Sequence, residues 1–154
     1  MMRSKRGKAL VTEARMAVGS CACLNSRLAA RMITRFLEAR MGKTGLSVAQ
    51  FGLMAHVAAA EDDTVRGLAA RTGLDQTTLS RNLHALERME LVEIATVEKD
   101  LRRRAVWLTE KGARALEAAL PAWRRAHDAL SEVIDPRAVK RIAAAAASLA
   151  AADR

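Results

Sequence analysis

The sequence predicts a mainly α-helical chain carrying one small β-hairpin, and three observations carry that prediction. Apolar residues recur at three- and four-residue spacing through most of the chain, as in Leu24, Leu28, Met32 and Phe36. Over 91–108 the pattern changes to two strand-like runs, "LVEIATV" and "RRAVWL", separated by "EKDLR". Between the periodic stretches stand residues that cap helices or turn the chain: Ser47, Thr64, Gly73, Asp75, Thr109 and the pair Asp135-Pro136.

Taken in order, residues 1–18 read as flexible and basic. A helix is predicted from Ser20 to Met41, with Ile33 and Leu37 beside the four-residue series, and "MGKTGLS" breaks it with two glycines. Ser47 caps a second helix, 48–59, bearing Phe51, Leu53, Met54 and Val57. "AEDD" interrupts, and Thr64 caps a third helix, 65–72. Gly73 then supplies the left-handed turn that ends it. Asp75 caps a fourth helix, 75–89, with Thr78 three residues on, and Leu74 and Leu79 are spaced as a hydrophobic staple. Its inward face continues through Leu83, Leu86 and Met89, which leaves Gln76, Thr77, Ser80, Arg81 and His84 pointing elsewhere. After the hairpin, Thr109 caps a long helix to about Val133 with Leu116, Leu120, Trp123, His127 and Leu130 on one stripe. Pro121 is expected to kink or interrupt it. Asp135-Pro136 opens an alanine-rich last helix, 136–151, with Val139, Ile142, Ala146 and Leu149 on one face.

Charge narrows the function. Among 154 residues, 26 Lys and Arg outweigh 17 Asp and Glu, a net charge of +9 that favours a polyanionic partner. Aromatic residues make up 3% and tyrosine is absent, which argues against a protein that stacks unpaired bases on rings. Duplex DNA needs no such platform. No stretch has the length and apolarity of a membrane span, the basic amino end lacks the apolar core of a secretion signal, and Cys21 and Cys23 lie too close to staple distant parts. A reduced cytoplasmic protein without membrane association is expected. His56, His84 and His127 fall on different predicted helices, and no H-E-x-x-H, P-loop or dinucleotide glycine pattern occurs. No enzyme activity, catalytic residue, cofactor or metal is therefore expected.

Two short helices joined by a glycine turn and followed by a basic hairpin make a winged helix-turn-helix. The helix 75–89 is thin enough for the major groove, where Gln76 and Arg81 can make bidentate contacts with adenine and guanine. Thr77 and Ser80 suit phosphate or a thymine methyl, and Thr64, Asp75, Thr78 and His84 complete the candidate contacts on this side. On the wing, Lys99, Arg102 and Arg103 are placed for the neighbouring minor groove and its phosphates, with Asp100 positioned to hold the Arg102 guanidinium. Arg104 is either a backbone contact or solvated. The plainer alternatives are a helical hairpin with a polar outer face, a solvated basic turn, and a winged-helix module that binds protein.

The order of elements, with Gln50-Phe51, "LAARTGLDQTTLSRNLHALE" (68–87), Asp100-Leu101-Arg102 and Leu108-Thr109-Glu110-Lys111-Gly112, resembles the MarR family of bacterial transcription factors over about residues 20–150. One departure is Glu90, where that family usually has glycine, so the helix before it should end less cleanly. The resemblance implies a homodimer on pseudo-palindromic double-stranded promoter DNA, a repressor until a small aromatic or anionic effector or an oxidant releases it. It also implies an organisation of 1–19 as tail, 47–111 as the winged helix-turn-helix, and 20–46 with 112–154 as the helical dimerisation region. Effectors in the family commonly lodge between the dimer helices and the DNA-binding lobe, which here points to Asn25, Arg31, His56 and Trp107. Each has a duller reading, as surface, half-buried or packing residues. Ser20 as N-cap would put Cys21 in a first helical turn, which favours a thiolate, so Cys21 and Cys23 are redox candidates. The commoner role for such a cysteine is that of a small hydrophobe.

Overall fold

The structure, a computed structural model, describes the backbone of residues 5–60, 64–97 and 100–152, and the side chains of 7–60, 64–95 and 104–149. In chain order the elements are α1 (Lys5–Ser20), α2 (Ala22–Met41), a 3₁₀ turn (Gly42–Thr44), α3 (Val48–Ala58), α4 (Val65–Thr72), α5 (Gln76–Arg88), β1 (Val92–Val97), β2 (Asp100–Leu108), α6 (Glu110–Ser131) and α7 (Pro136–Ala152). The chain divides into two compact units at Phe36/Leu37.

The first unit corrects the sequence reading. A helix, α1, stands where a flexible tail is expected. The physical reason is composition: "KALVTEARMA" is built almost wholly from strong helix formers, and its basic residues do not oppose a helix. Ser20 also differs from expectation. Its hydroxyl donates to the Met16 carbonyl at 2.8 Å and so closes the last turn of α1 instead of capping α2. Cys21 lies between the helices, and its carbonyl accepts the first α2 bond, from the Asn25 N–H at 3.1 Å. Cys21 therefore precedes the first turn instead of lying in it.

In the second unit the core gathers residues from the end of α2, from α3, α4 and α5, from the hairpin and from α6. Leu37, Met41 and Leu46 lead into Phe51, Leu53, Met54 and Val57 of α3, Leu68 of α4, and Leu79, Leu83 and Leu86 of α5. Leu91, Val92, Ala105 and Val106 of the hairpin and Leu116, Ala119 and Ala126 of α6 complete it. Local signals set the boundaries. Ser47 and Gln50 form a full capping box at the start of α3, and the Thr64, Asp75 and Thr109 side chains each accept the N–H three residues on. Gly73 sits at φ 66, the left-handed turn that an alanine would resist.

Two expectations shift. Helix α6 runs uninterrupted through Pro121, whose ring is exposed, so the missing N–H costs one bond of the helix without ending it. Strand β2 begins at Asp100, three residues earlier than the apolar run suggests. Its register follows Val92↔Leu108 to Thr96↔Arg104 and then shifts, so that Val97 pairs with Asp100 and 101–103 fall between the two registers. A feature with no local sequence signature is the antiparallel bridge between Thr64 and Ala105, which ties the chain entering α4 to the wing.

The junction of α5, the hairpin and α6 is tight. Thr109 donates its N–H to the Leu91 carbonyl at 3.2 Å and its hydroxyl to the Glu90 carbonyl at 2.7 Å. Gly112 is buried there, and a Cβ on it would lie 2.8 Å from the Leu91 carbonyl carbon and closer still to its oxygen. Backbone cannot yield as a side-chain tip can. Gly112→Ala is therefore expected to lower stability by about 2 kcal/mol or more, read as a fall in the urea midpoint. An unchanged midpoint would contradict this packing.

Candidate nucleic-acid interface

Helix α5 has 13 residues, a length of marginal stability on its own. Its position comes from one face: Leu79 and Leu86 are fully buried and Leu83 nearly so, each contributing about 1.5–3 kcal/mol of burial. Met89, expected on this inward face, is 37% exposed and forms the C-cap instead, its sulfur 3.4 Å from Gln50 Nε2. The opposite edge presents Gln76, Thr77, Arg81 and His84, all exposed, with Ser80 half-buried beside them. Arg81 makes no ion pair among the described residues. His84 Nδ1 lies 3.1 Å from Glu87 Oε2, which fixes the ring along the helix.

Asp75 and Thr78 serve the helix start. The Asp75 carboxylate accepts from the Thr78 N–H at 2.9 Å and from its hydroxyl at 2.7 Å. Thr64 likewise caps α4, accepting from the Gly67 N–H at 3.0 Å. These residues aim the two helices of the motif. Lys99 lies outside the described residues, as do the side chains of Asp100, Arg102 and Arg103, whose backbone belongs to β2. Arg104 is exposed on β2 opposite Thr96. Exposed arginines not singled out from sequence, Arg66 and Arg71 on α4 and Arg88 at the end of α5, add positive charge around the motif. Their only signal was helical phase, which is weak in an eight-residue helix such as α4.

The four effector candidates are divided between the two units, two in each. Asn25 and Arg31 are exposed in the first unit, Asn25 donating to the Gly19 carbonyl at 3.0 Å. In the second unit His56 is exposed on α3, and Trp107 is 38% exposed with its Nε1 donating to Glu93 Oε2 at 3.3 Å. A cavity of about 140 Å³ lies elsewhere, between α3 and α5, lined by Ser47, Gln50, Leu53, Asn82 and Leu86 among others. Cys21 is half-exposed and Cys23 exposed, and both are free thiols. Among the described residues no cluster of three or more His, Cys, Asp or Glu is placed to hold a metal ion. No described helix is long and apolar enough to cross a membrane.

A sequence model of the MarR family matches residues 44–103, from the turn before α3 through most of the wing. Across nearly the whole fold, the chain is similar to the Mycobacterium tuberculosis transcriptional regulator MosR, solved in complex with DNA. Identity is 34%, 88% of this chain and 99% of that one are covered, and the TM-score is 0.78. The chain belongs to the MarR family. A MarR-family transcriptional regulator from Rhodococcus sp. RHA1 is 26% identical, with 82% and 89% of the two chains covered and a TM-score of 0.64. The PcaV regulator of Streptomyces coelicolor, solved with its natural ligand, shares the fold at 16% identity, with 89% and 96% covered and a TM-score of 0.72. No match is found among curated protein sequences. As a MarR-family member the chain is a transcriptional regulator with a winged helix-turn-helix, and the hairpin and the helix pair α4–α5 are its defining parts.

Electrostatics adds a measurable property of the α5 start. The Thr78 hydroxyl, and after it the Thr78 N–H, holds the Asp75 carboxyl below its ordinary value of 3.8. A depressed folded value means that the contribution to stability is complete above the ordinary value and is lost as pH falls through the folded one. Urea midpoints at neutral pH and at about pH 2 should therefore fall more for the wild type than for Asp75→Ala. Equal acid losses in the two proteins would contradict the cap.

Proposed function

We propose that this MarR-family regulator is a homodimer that reads pseudo-palindromic duplex DNA, acts as a repressor, and is released by a small aromatic or anionic effector. The observation that carries the proposal is the exposed edge of α5, with Gln76, Thr77 and Arg81 projecting from a helix whose other face is locked into the core. Gln76 and Arg81 read base edges in the major groove, while Thr77 and Ser80 contact phosphate or thymine methyl groups. The wing, with Lys99, Arg102 and Arg103, lies against the adjacent minor groove and its phosphates. The DNA complex of MosR, 34% identical, supports this reading. For the dimer, support comes from apolar side chains left exposed in both units: Leu24, Leu28 and Met32 on α2, and Val139, Ile142 and Leu149 on α7. Two-fold symmetry would place the two α5 helices about 34 Å apart, one turn of DNA.

The decisive experiment titrates the protein against a pool of random duplexes at low and moderate salt and sequences the bound fraction. A recovered pseudo-palindrome with steep salt dependence supports the reading; binding without a recoverable sequence sinks it. Arg81→Ala is expected to lose about 1–3 kcal/mol of binding and to relax base preference at one position. Arg102→Ala should weaken binding to all sequences and reduce the salt slope by about 1. Unchanged affinity and slope for Arg102→Ala would remove the wing from the interface.

A second reading, release by oxidation, is favoured by the position of Cys21 in the junction between α1 and α2. The two thiols are thus not fixed on one rigid helix. Their coupling to a disulfide releases two protons and two electrons to an oxidant such as hydrogen peroxide, which is reduced to water. If this reading holds, peroxide abolishes DNA binding by the wild type and spares Cys21→Ser. Equal sensitivity of the two proteins would end it.

A further inference from the structure

The segment 89–91 leaves α5 and is fastened at once to the start of α6. Four contacts do this: Thr109 N–H to the Leu91 carbonyl, Thr109 hydroxyl to the Glu90 carbonyl, Lys111 Nζ to Glu90 Oε2 at 2.7 Å, and Gly112 seated against the Leu91 backbone. Glu90 holds this place at φ 60, the only non-glycine positive φ among the described residues. That conformation disfavours any side chain with a Cβ. Glu90 thus combines a backbone conformation disfavoured for its side chain with a carboxylate set on a lysine of the next helix. Hydrogen bonding from Lys111, and then its charge, also draws the Glu90 carboxyl below its ordinary value of 4.5.

We propose that Glu90 and Lys111 are positioning residues for DNA recognition: as a strut between the end of α5 and the start of α6, they fix the angle at which α5 is presented. This rests on the reading of the chain as a dimeric DNA reader. Base identity is read by α5 itself, so the strut does not touch it. What the strut governs is the separation and mutual tilt of the two recognition helices, and hence the preferred distance between half-sites. Without it, α5 keeps its leucine anchor and its contacts with each half-site, and the dimer accepts neighbouring spacings.

The test is the random-duplex selection repeated with full-length wild type, Glu90→Gly, Lys111→Met and the charge swap Glu90→Lys with Lys111→Glu, scored separately for half-site consensus and for spacing. Wild type should recover one dominant spacing. Both single variants should keep the half-site consensus while the preference for that spacing over one a base pair away falls about two- to five-fold, the scale of an exposed ion pair. Glu90→Gly should do so with an equal or higher thermal midpoint, because glycine suits the left-handed backbone. A purely structural role could not produce that combination. The swap should restore the spacing preference. An unchanged preference in both single variants overturns the proposal, as does a loss that simply follows a lowered thermal midpoint. A wild type that selects half-sites singly or no sequence at all overturns the dimeric DNA-reading proposal itself, an outcome distinct from failure of the strut.

Discussion

The structure of the second unit depends on three leucines. Leu79, Leu83 and Leu86 insert one face of α5 into a core built by α3, α4, the hairpin and α6, and nothing else of comparable strength holds that helix. Its N-cap is a pair of exposed hydrogen bonds from Thr78 to Asp75, and its length is too short for independent stability. Because the leucines recur at three- and four-residue spacing, burying them also decides which residues face out. The position of Arg81 is thus a by-product of where Leu79 and Leu83 must go.

The same logic explains why most of the fold could be read from sequence. Ser47, Thr64, Asp75 and Thr109 each act within three residues of themselves, so their patterns survive any tertiary setting, and every one caps the helix expected of it. Gly73 announced its left-handed turn by identity alone. The misses share the opposite property. Helix α1 was obscured because basic residues suggested a tail, although propensity favoured a helix. The early start of β2 was hidden because Asp100 to Arg103 carry turn-like chemistry, although Asp100 pairs with Val97 of β1 across the register shift.

For the candidate interface, the recognition edge was legible because it is the complement of an apolar stripe. The α5–α6 junction was legible only in part. Glu90 stood out in sequence as a departure, but its partner Lys111 lies 21 residues away, and no local pattern links them. Gly112 was visible as part of a motif, while the reason for it, the Leu91 backbone pressed against it, exists only in three dimensions. The Thr64–Ala105 bridge is of the same kind: two ordinary residues, 41 positions apart, that matter through their backbones.

That bridge bears on how such a protein can diversify. It clamps the regular ladder of the wing at Ala105, beside the chain entering α4, while the register shift between Thr96 and Val97 sets the outer part of the hairpin apart from that ladder. Residues can be inserted, deleted or exchanged beyond the shift without moving the clamp, and without moving the helix that the clamp braces. Descendants of one ancestral chain could thus retune how the hairpin tip meets its target while inheriting the α5 reading head unchanged, so that the two halves of the motif evolve on separate clocks.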